Sequence, residues 1–171
     1  VLGLAFLFRL QSQVLGWGPF VNLLKVDILN VMGLALAGAA LLWQAGRGRP
    51  GRIALFALAT AALAFLTPVV REAAWLDPLP DPIEWYLRPA PNRSTFTIFS
   101  WAGFLTFGAL IGELIDGARR PGAERGLHVA LLGTSVVMVA AGYLASFLPS
   151  IYANAQFWTS SPTFFFIRLG L

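Results

Sequence analysis

The chain has 171 residues, 57% of them hydrophobic and 12% charged, with 12 Lys and Arg against 8 Asp and Glu for a net charge of +4. So apolar a composition excludes a soluble domain of this length and points to an integral membrane protein. The basic residues gather in short loops or stand singly inside apolar runs, with no basic face interleaved with aromatics, so no nucleic acid is expected as a partner. Cysteine is absent and His128 is the single histidine, which leaves no thiolate or multi-histidine metal site, and no metal is expected.

A helix that crosses a bilayer needs about 20 mostly apolar residues. On that rule the sequence predicts an all-α, polytopic helical membrane bundle in one transmembrane domain over 1–171. Its helices lie at about 1–16, 21–44, 52–70, 96–116, 124–148 and 161–171, four of them complete and the first and last truncated. The chain opens and closes within apolar runs, Val1 to Leu10 and Phe164 to Leu171, so it reads as an internal fragment.

The first helix carries Arg9 and Gln13, four residues apart on one face. The turn GWGPF then returns the chain as an antiparallel neighbour. The second helix holds Lys25, Asp27 and Asn30 in its first turns, groups that hydrocarbon disfavours by a few kcal/mol or more unless paired, hydrated or snorkelling. Counted from the outer helix ends, Arg9 lies roughly 11 Å down, Asp27 roughly 9 Å and Arg168 of the last helix roughly 9 Å. The three can share a layer, and an Arg9–Asp27 ion pair is expected. A buried pair that merely sets helix register is the plainer account of it. Lys25 is close enough to the boundary to snorkel.

The loops GRGRPGR and DGARRPGAERG are rich in arginine, which places 45–52 and 117–125 in the cytoplasm and the proline-rich segment 67–95 outside. Trp17, Trp75, Trp85, Tyr86, Tyr152 and Trp158 then fall at the outer boundary as an aromatic belt. Within 67–95 the prolines forbid a continuous helix, and Pro82 to Leu87 has room for one interfacial turn, as a lid or as a connector on the headgroups. Glu113 and Asp116 end the fourth helix beside Arg119 and Arg120, as a solvated ion-pair cap would. Gly108 and Gly112 have GxxxG spacing, and Gly33 and Gly38 stand among alanines, which suits close helix packing in lipid. His128 begins the fifth helix on the inner side, where a solvated imidazole is expected. Asn92-Arg93-Ser94 fits a glycosylation sequon, a short pattern of little weight in a composition that looks bacterial.

Four stretches carry a family resemblance: LFRLQS at Leu7 to Ser12, LKVDILNVMGL at Leu24 to Leu34, FTIFSWAGFLTFGALIG at Phe96 to Gly112 and SSPTFFFIRLGL at Ser160 to Leu171. They resemble bacterial multi-spanning proteins related to heparan-alpha-glucosaminide N-acetyltransferase and the wider acyltransferase-3-like transmembrane superfamily. The resemblance implies a bundle of around ten helices that moves an acyl group from a cytoplasmic acyl-CoA or similar donor to a hydroxyl or amine of a sugar or glycan at the outer face, with no bound cofactor. It implies that Arg9, Asp27 and Arg168 line the central cavity, and Gln13 and Asn30, on the same polar faces as Arg9 and Asp27, join them as candidates for binding donor or substrate. The family's opening helix, with its Asp, Arg-Gly and intramembrane His, would lie before Val1, so no residue here is assigned as the base. His128 is in the wrong helix and on the wrong side to replace it. A transporter with an Arg/Asp site, or a non-catalytic membrane scaffold, are the alternative expectations.

Overall fold

A computed structural model describes residues 1–16, 23–94, 96–119, 121–153 and 155–171. Seven α-helices run through them: α1 (Leu2–Gly16), α2 (Ile28–Ala45), α3 (Gly48–Arg71), α4 (Asp81–Leu87), α5 (Ile98–Gly117), α6 (Pro121–Ala145) and α7 (Pro162–Gly170). No strand is present among the described residues beyond isolated bridges at Ser94. The chain is thus an all-helical membrane bundle. Four helices are long and apolar enough to cross a membrane, Ile28–Ala45, Gly48–Arg71, Ile98–Gly117 and Gly122–Ala145. The turn after Gly16, the expected helix start at Val21, Trp17 and Arg120 lie outside the described residues.

α5 is the centre of the packing, against α3 most extensively and then against α2, while α7 folds back onto α6. Its contact with α3 includes a buried hydroxyl pair, Thr60 Oγ1 to Thr106 Oγ1 at 2.9 Å. Thr60 Oγ1 also lies 2.8 Å from Phe56 O and Thr106 Oγ1 3.0 Å from Gly103 O; one hydroxyl donates to the other, which donates to the carbonyl of its own helix, so neither is stranded in apolar surroundings. α1 runs antiparallel along α2, with Leu2 against Gly33 and Arg9 at Asp27. A Cβ on Gly33 would stand 2.6 Å from Leu2 Cγ, so the small residue is what lets α1 approach. Gly38, Gly108 and Gly112 have no such neighbour; tight helix approaches fall at Gly33 and, beyond the expected glycines, at Gly103, Gly142 and Gly170. Among the described residues no element packs on the Gly108 and Gly112 face, so the GxxxG spacing has nothing to admit there.

The proline-rich segment departs most from its expected form. α3 continues through Pro68 to Arg71, at the cost of the one hydrogen bond that the missing Pro68 N–H would have made to the carbonyl four residues earlier. A 3-10 turn at Ala74–Leu76 and the two-turn helix α4 follow, α4 opening at Pro80 with Asp81, Pro82 and Glu84 in its first turn. Arg88 ties these pieces together, meeting Asp77 at 3.1 Å, Glu84 at 3.3 Å and the Ala73 carbonyl at 2.7 Å. Asn92 turns the chain with φ 60°, a left-handed conformation that Asn tolerates, and Ser94 Oγ accepts from Ala90 N at 3.0 Å. Trp85 is therefore buried rather than at a lipid boundary. It packs with Val26 and Val31 at the start of α2, beside Tyr86, Phe96, Ile98 and Trp101.

Candidate functional site

Polar side chains concentrate at two ends of the bundle, called here the α4 end and the Glu113 end. At the α4 end, the helix expected over 21–44 begins only at Ile28, and Asp27 is its N-cap rather than a residue inside it. Val26 explains the late start: its N–H donates to Arg93 O at 3.0 Å, so the chain before Asp27 is committed to the connector. One Asp27 carboxylate oxygen accepts from Ile28 N at 2.7 Å, and the other from Arg9 Nη2 at 3.0 Å. An Asp directly before an apolar run is the ordinary N-cap signal, and it was present in VDILN.

Asn30 lies three residues on, 1% exposed, donating from Nδ2 to Tyr86 Oη at 3.3 Å while its Oδ1 has no partner. Gln13 is on α1 four residues beyond Arg9, and neither it nor Lys25 makes a hydrogen bond or ion pair among the described residues. Arg93 stacks over the Trp85 ring at 5.5 Å, and Arg71 reaches Thr97 Oγ1 at 3.4 Å. The structure therefore brings Arg9, Asp27 and Asn30 to the start of α2, beneath Tyr86 of α4.

Arg168 does not join them. It is exposed on α7, stacks over Phe164 at 4.9 Å and borders a cavity of about 30 Å³ with Thr67, Ser100 and Ser160, room for a water molecule or two. The shared level estimated by counting residues says nothing of direction around the bundle, and α7 packs on α6 while α1 packs on α2. A groove of about 610 Å³ between α6, α7 and the segment joining them is lined by Met138, Ile151, Phe157 and Phe166 among others, with no charged side chain to orient a polar substrate.

At the Glu113 end, the solvated cap expected at the end of α5 is instead a cross-helix clamp. Glu113 is 9% exposed and accepts from Arg52 Nε at 2.7 Å, Arg52 Nη2 at 3.0 Å and Trp43 Nε1 at 2.9 Å. Arg52 also lies over the Trp43 ring at 5.0 Å. Arg49 donates to the carbonyls of Glu113 at 2.9 Å and Leu114 at 3.1 Å, capping α5, and fills the space a side chain at Gly117 would need. Asp116 does pair with Arg119. The signal missed in the sequence is positional: Arg49 and Arg52 of the arginine-rich loop begin the helix that packs most closely on α5. His128 is exposed, two turns into α6 at this same end.

Comparison with protein-family models, curated proteins and solved structures gave no match to this chain.

Proposed function

We propose that the chain is part of a membrane-embedded acyltransferase of a bacterial cytoplasmic membrane. It transfers an acyl group from a cytoplasmic acyl-CoA or similar donor to a hydroxyl or amine of a sugar or glycan at the outer face. The observation that supports this reading is the Arg9–Asp27 pair at the head of α2, with the buried Asn30 amide beside it and a folded connector above. In this reading the α4 end faces outward and loops 45–52 and 117–125 face the cytoplasm.

The chemistry replaces the thioester carbon–sulfur bond by a carbon–oxygen or carbon–nitrogen bond, and the acceptor's proton ends on the thiol. Arg9 stabilises the negative charge that develops on the carbonyl oxygen, since a guanidinium held in place by Asp27 acts as an oxyanion partner. Asp27 has both carboxylate oxygens engaged, which suits holding Arg9 in place better than taking a proton. A transporter would draw on interrupted spans, and α3 continues unbroken through Pro68.

The test is transfer of a labelled acyl group from acyl-CoA to sugar acceptors by the purified full-length protein. Arg9→Ala is expected to lower kcat at least roughly a hundredfold, the scale of a lost oxyanion donor, with the thermal unfolding profile retained. Unchanged turnover in Arg9→Ala rejects this site. Substrate flux across sealed vesicles without acylation replaces the reading by transport.

A further inference from the structure

Arg168 stands apart from the Arg9–Asp27 pair, and its own surroundings are polar. Arg9, Arg52 and Arg88 each meet a carboxylate, and Arg49 meets two carbonyls. The Arg168 guanidinium lies over the Phe164 ring at 4.9 Å and makes no hydrogen bond or ion pair among the described residues. A cation–π contact holds the group by its charge and leaves its N–H donors unused.

Arg168 and Phe164 line one cavity of about 30 Å³ with Ser100, Trp158, Ser160 and Ser161. Ser100 comes from the first turn of α5, while Ser160 and Ser161 lead into α7. The protons of these three hydroxyls are poorly used. Ser161 is the N-cap residue of α7, yet its hydroxyl bonds no helix N–H and has no other partner among the described residues. Ser160 Oγ accepts from Gln156 N at 3.0 Å but donates only at 3.4 Å, to Gln156 O, and Ser100 Oγ donates only at 3.5 Å, to Thr159 O. Bonds that long are weak and readily exchanged for a better acceptor. Thr67 and Thr159, also in the wall, already donate to Leu63 O at 2.6 Å and Gln156 Oε1 at 3.1 Å. One cation and three hydroxyl donors therefore face a single space, and no carboxylate lines it among the described residues. Such an excess of donors calls for an anion, and the size of the space selects which. A cavity of about 30 Å³ holds about two waters, which matches the two oxygens of a carboxylate and falls short of the four of a phosphate. The Arg fork also meets a carboxylate with two parallel bonds.

We propose that Arg168, Ser100, Ser160 and Ser161 form a binding site for a carboxylate group. The group belongs either to a small soluble acid or to a long-chain acid whose hydrocarbon lies along the adjoining apolar groove, which shares Ser161 with the cavity. The site does not rest on acyl transfer, because none of its residues belongs to the Arg9–Asp27 pair and binding is read without turnover.

The experiment follows thermal unfolding of the full-length protein in maltoside detergent at constant pH and ionic strength. Acetate is titrated in one arm and decanoate in the other, with inorganic phosphate and decanol as comparisons. The unfolding temperature is expected to rise in at least one arm: a response to acetate, in roughly the millimolar range, assigns a small soluble acid, and a response to decanoate alone assigns the long-chain one. Arg168→Met should weaken the apparent affinity about tenfold or more, as loss of charge-assisted hydrogen bonds does. Ser161→Ala should weaken it several-fold while unfolding at the wild-type temperature without ligand, since its hydroxyl has no partner to lose. No response of the wild type to either acid overturns the proposal. So does a wild-type response in Arg168→Met, an equal response to phosphate or decanol, or a ligand-free Ser161→Ala clearly less stable than the wild type. A carboxylate response in protein that transfers no acyl group keeps this site and removes the acyltransferase reading.

Discussion

Asp27 shows how a single residue changes meaning between sequence and structure. As a charge inside an apolar run it reads as an intramembrane group; as the cap of α2 it does local work first, and its second oxygen is left for Arg9. The two roles separate by substitution. Asn retains the cap and loses the ion pair, whereas Ala loses both. Asp27→Ala is expected to cost about 1 kcal/mol more than Asp27→Asn in chemical unfolding, the usual value of an N-cap. The ion pair adds less than about 1 kcal/mol, because the Asp27 side chain keeps 40% of its exposure. Equal stability of the two variants in urea titration would place the whole role of Asp27 in the contact with Arg9.

Between elements, the clamp at Glu113 links three helices through one carboxylate: Trp43 of α2, Arg52 of α3 and Glu113 of α5. Its energetics are those of a nearly buried ion pair, in which removing one partner strands the other. Glu113→Ala leaves the Arg52 charge and the Trp43 N–H without their acceptor, and a lower unfolding temperature is expected in thermal unfolding. The double variant Arg52→Met/Glu113→Leu should recover most of that loss, because apolar groups in place of a buried pair are close to neutral. A double variant as unstable as Glu113→Ala would show that the pair supplies net stability. The clamp was only half legible in the sequence. A glutamate near the end of an apolar helix announces a partner, but Arg119 and Arg120 were nearer along the chain than Arg52, which packing brings across from α3.

For the whole molecule, the arginine loops and the apolar helix lengths make a statement about sidedness that one experiment reads. The sequence has no cysteine, so single cysteines placed in it report without background. Ala123→Cys at the start of α6 and Ile151→Cys in the exposed segment after it lie at opposite ends of a helix about 37 Å long. In intact cells, an impermeant maleimide is expected to label Ile151→Cys and to reach Ala123→Cys only after lysis. The reverse pattern would invert the proposed topology and place the Arg9–Asp27 layer in the cytoplasmic half.

The sequence by itself determined the all-helical membrane class and the approximate positions of the long helices. The reason is local: hydrocarbon demands about 20 apolar residues in a row for each span, and that demand is written in consecutive residues. It also paired Arg9 with Asp27, since a short connection leaves neighbouring helices little choice. Only the tertiary structure decided that Asp27 caps α2, that Trp85 of the connector is buried against the start of α2, that Glu113 belongs to Arg52, and that Arg168 stands apart. Those outcomes depend on how each helix is rotated toward its neighbours. In a soluble protein an apolar stripe reveals that rotation; in lipid the outward and inward faces are alike apolar, so the pattern that fixes a span's length leaves its facing open until the side chains of other helices meet it.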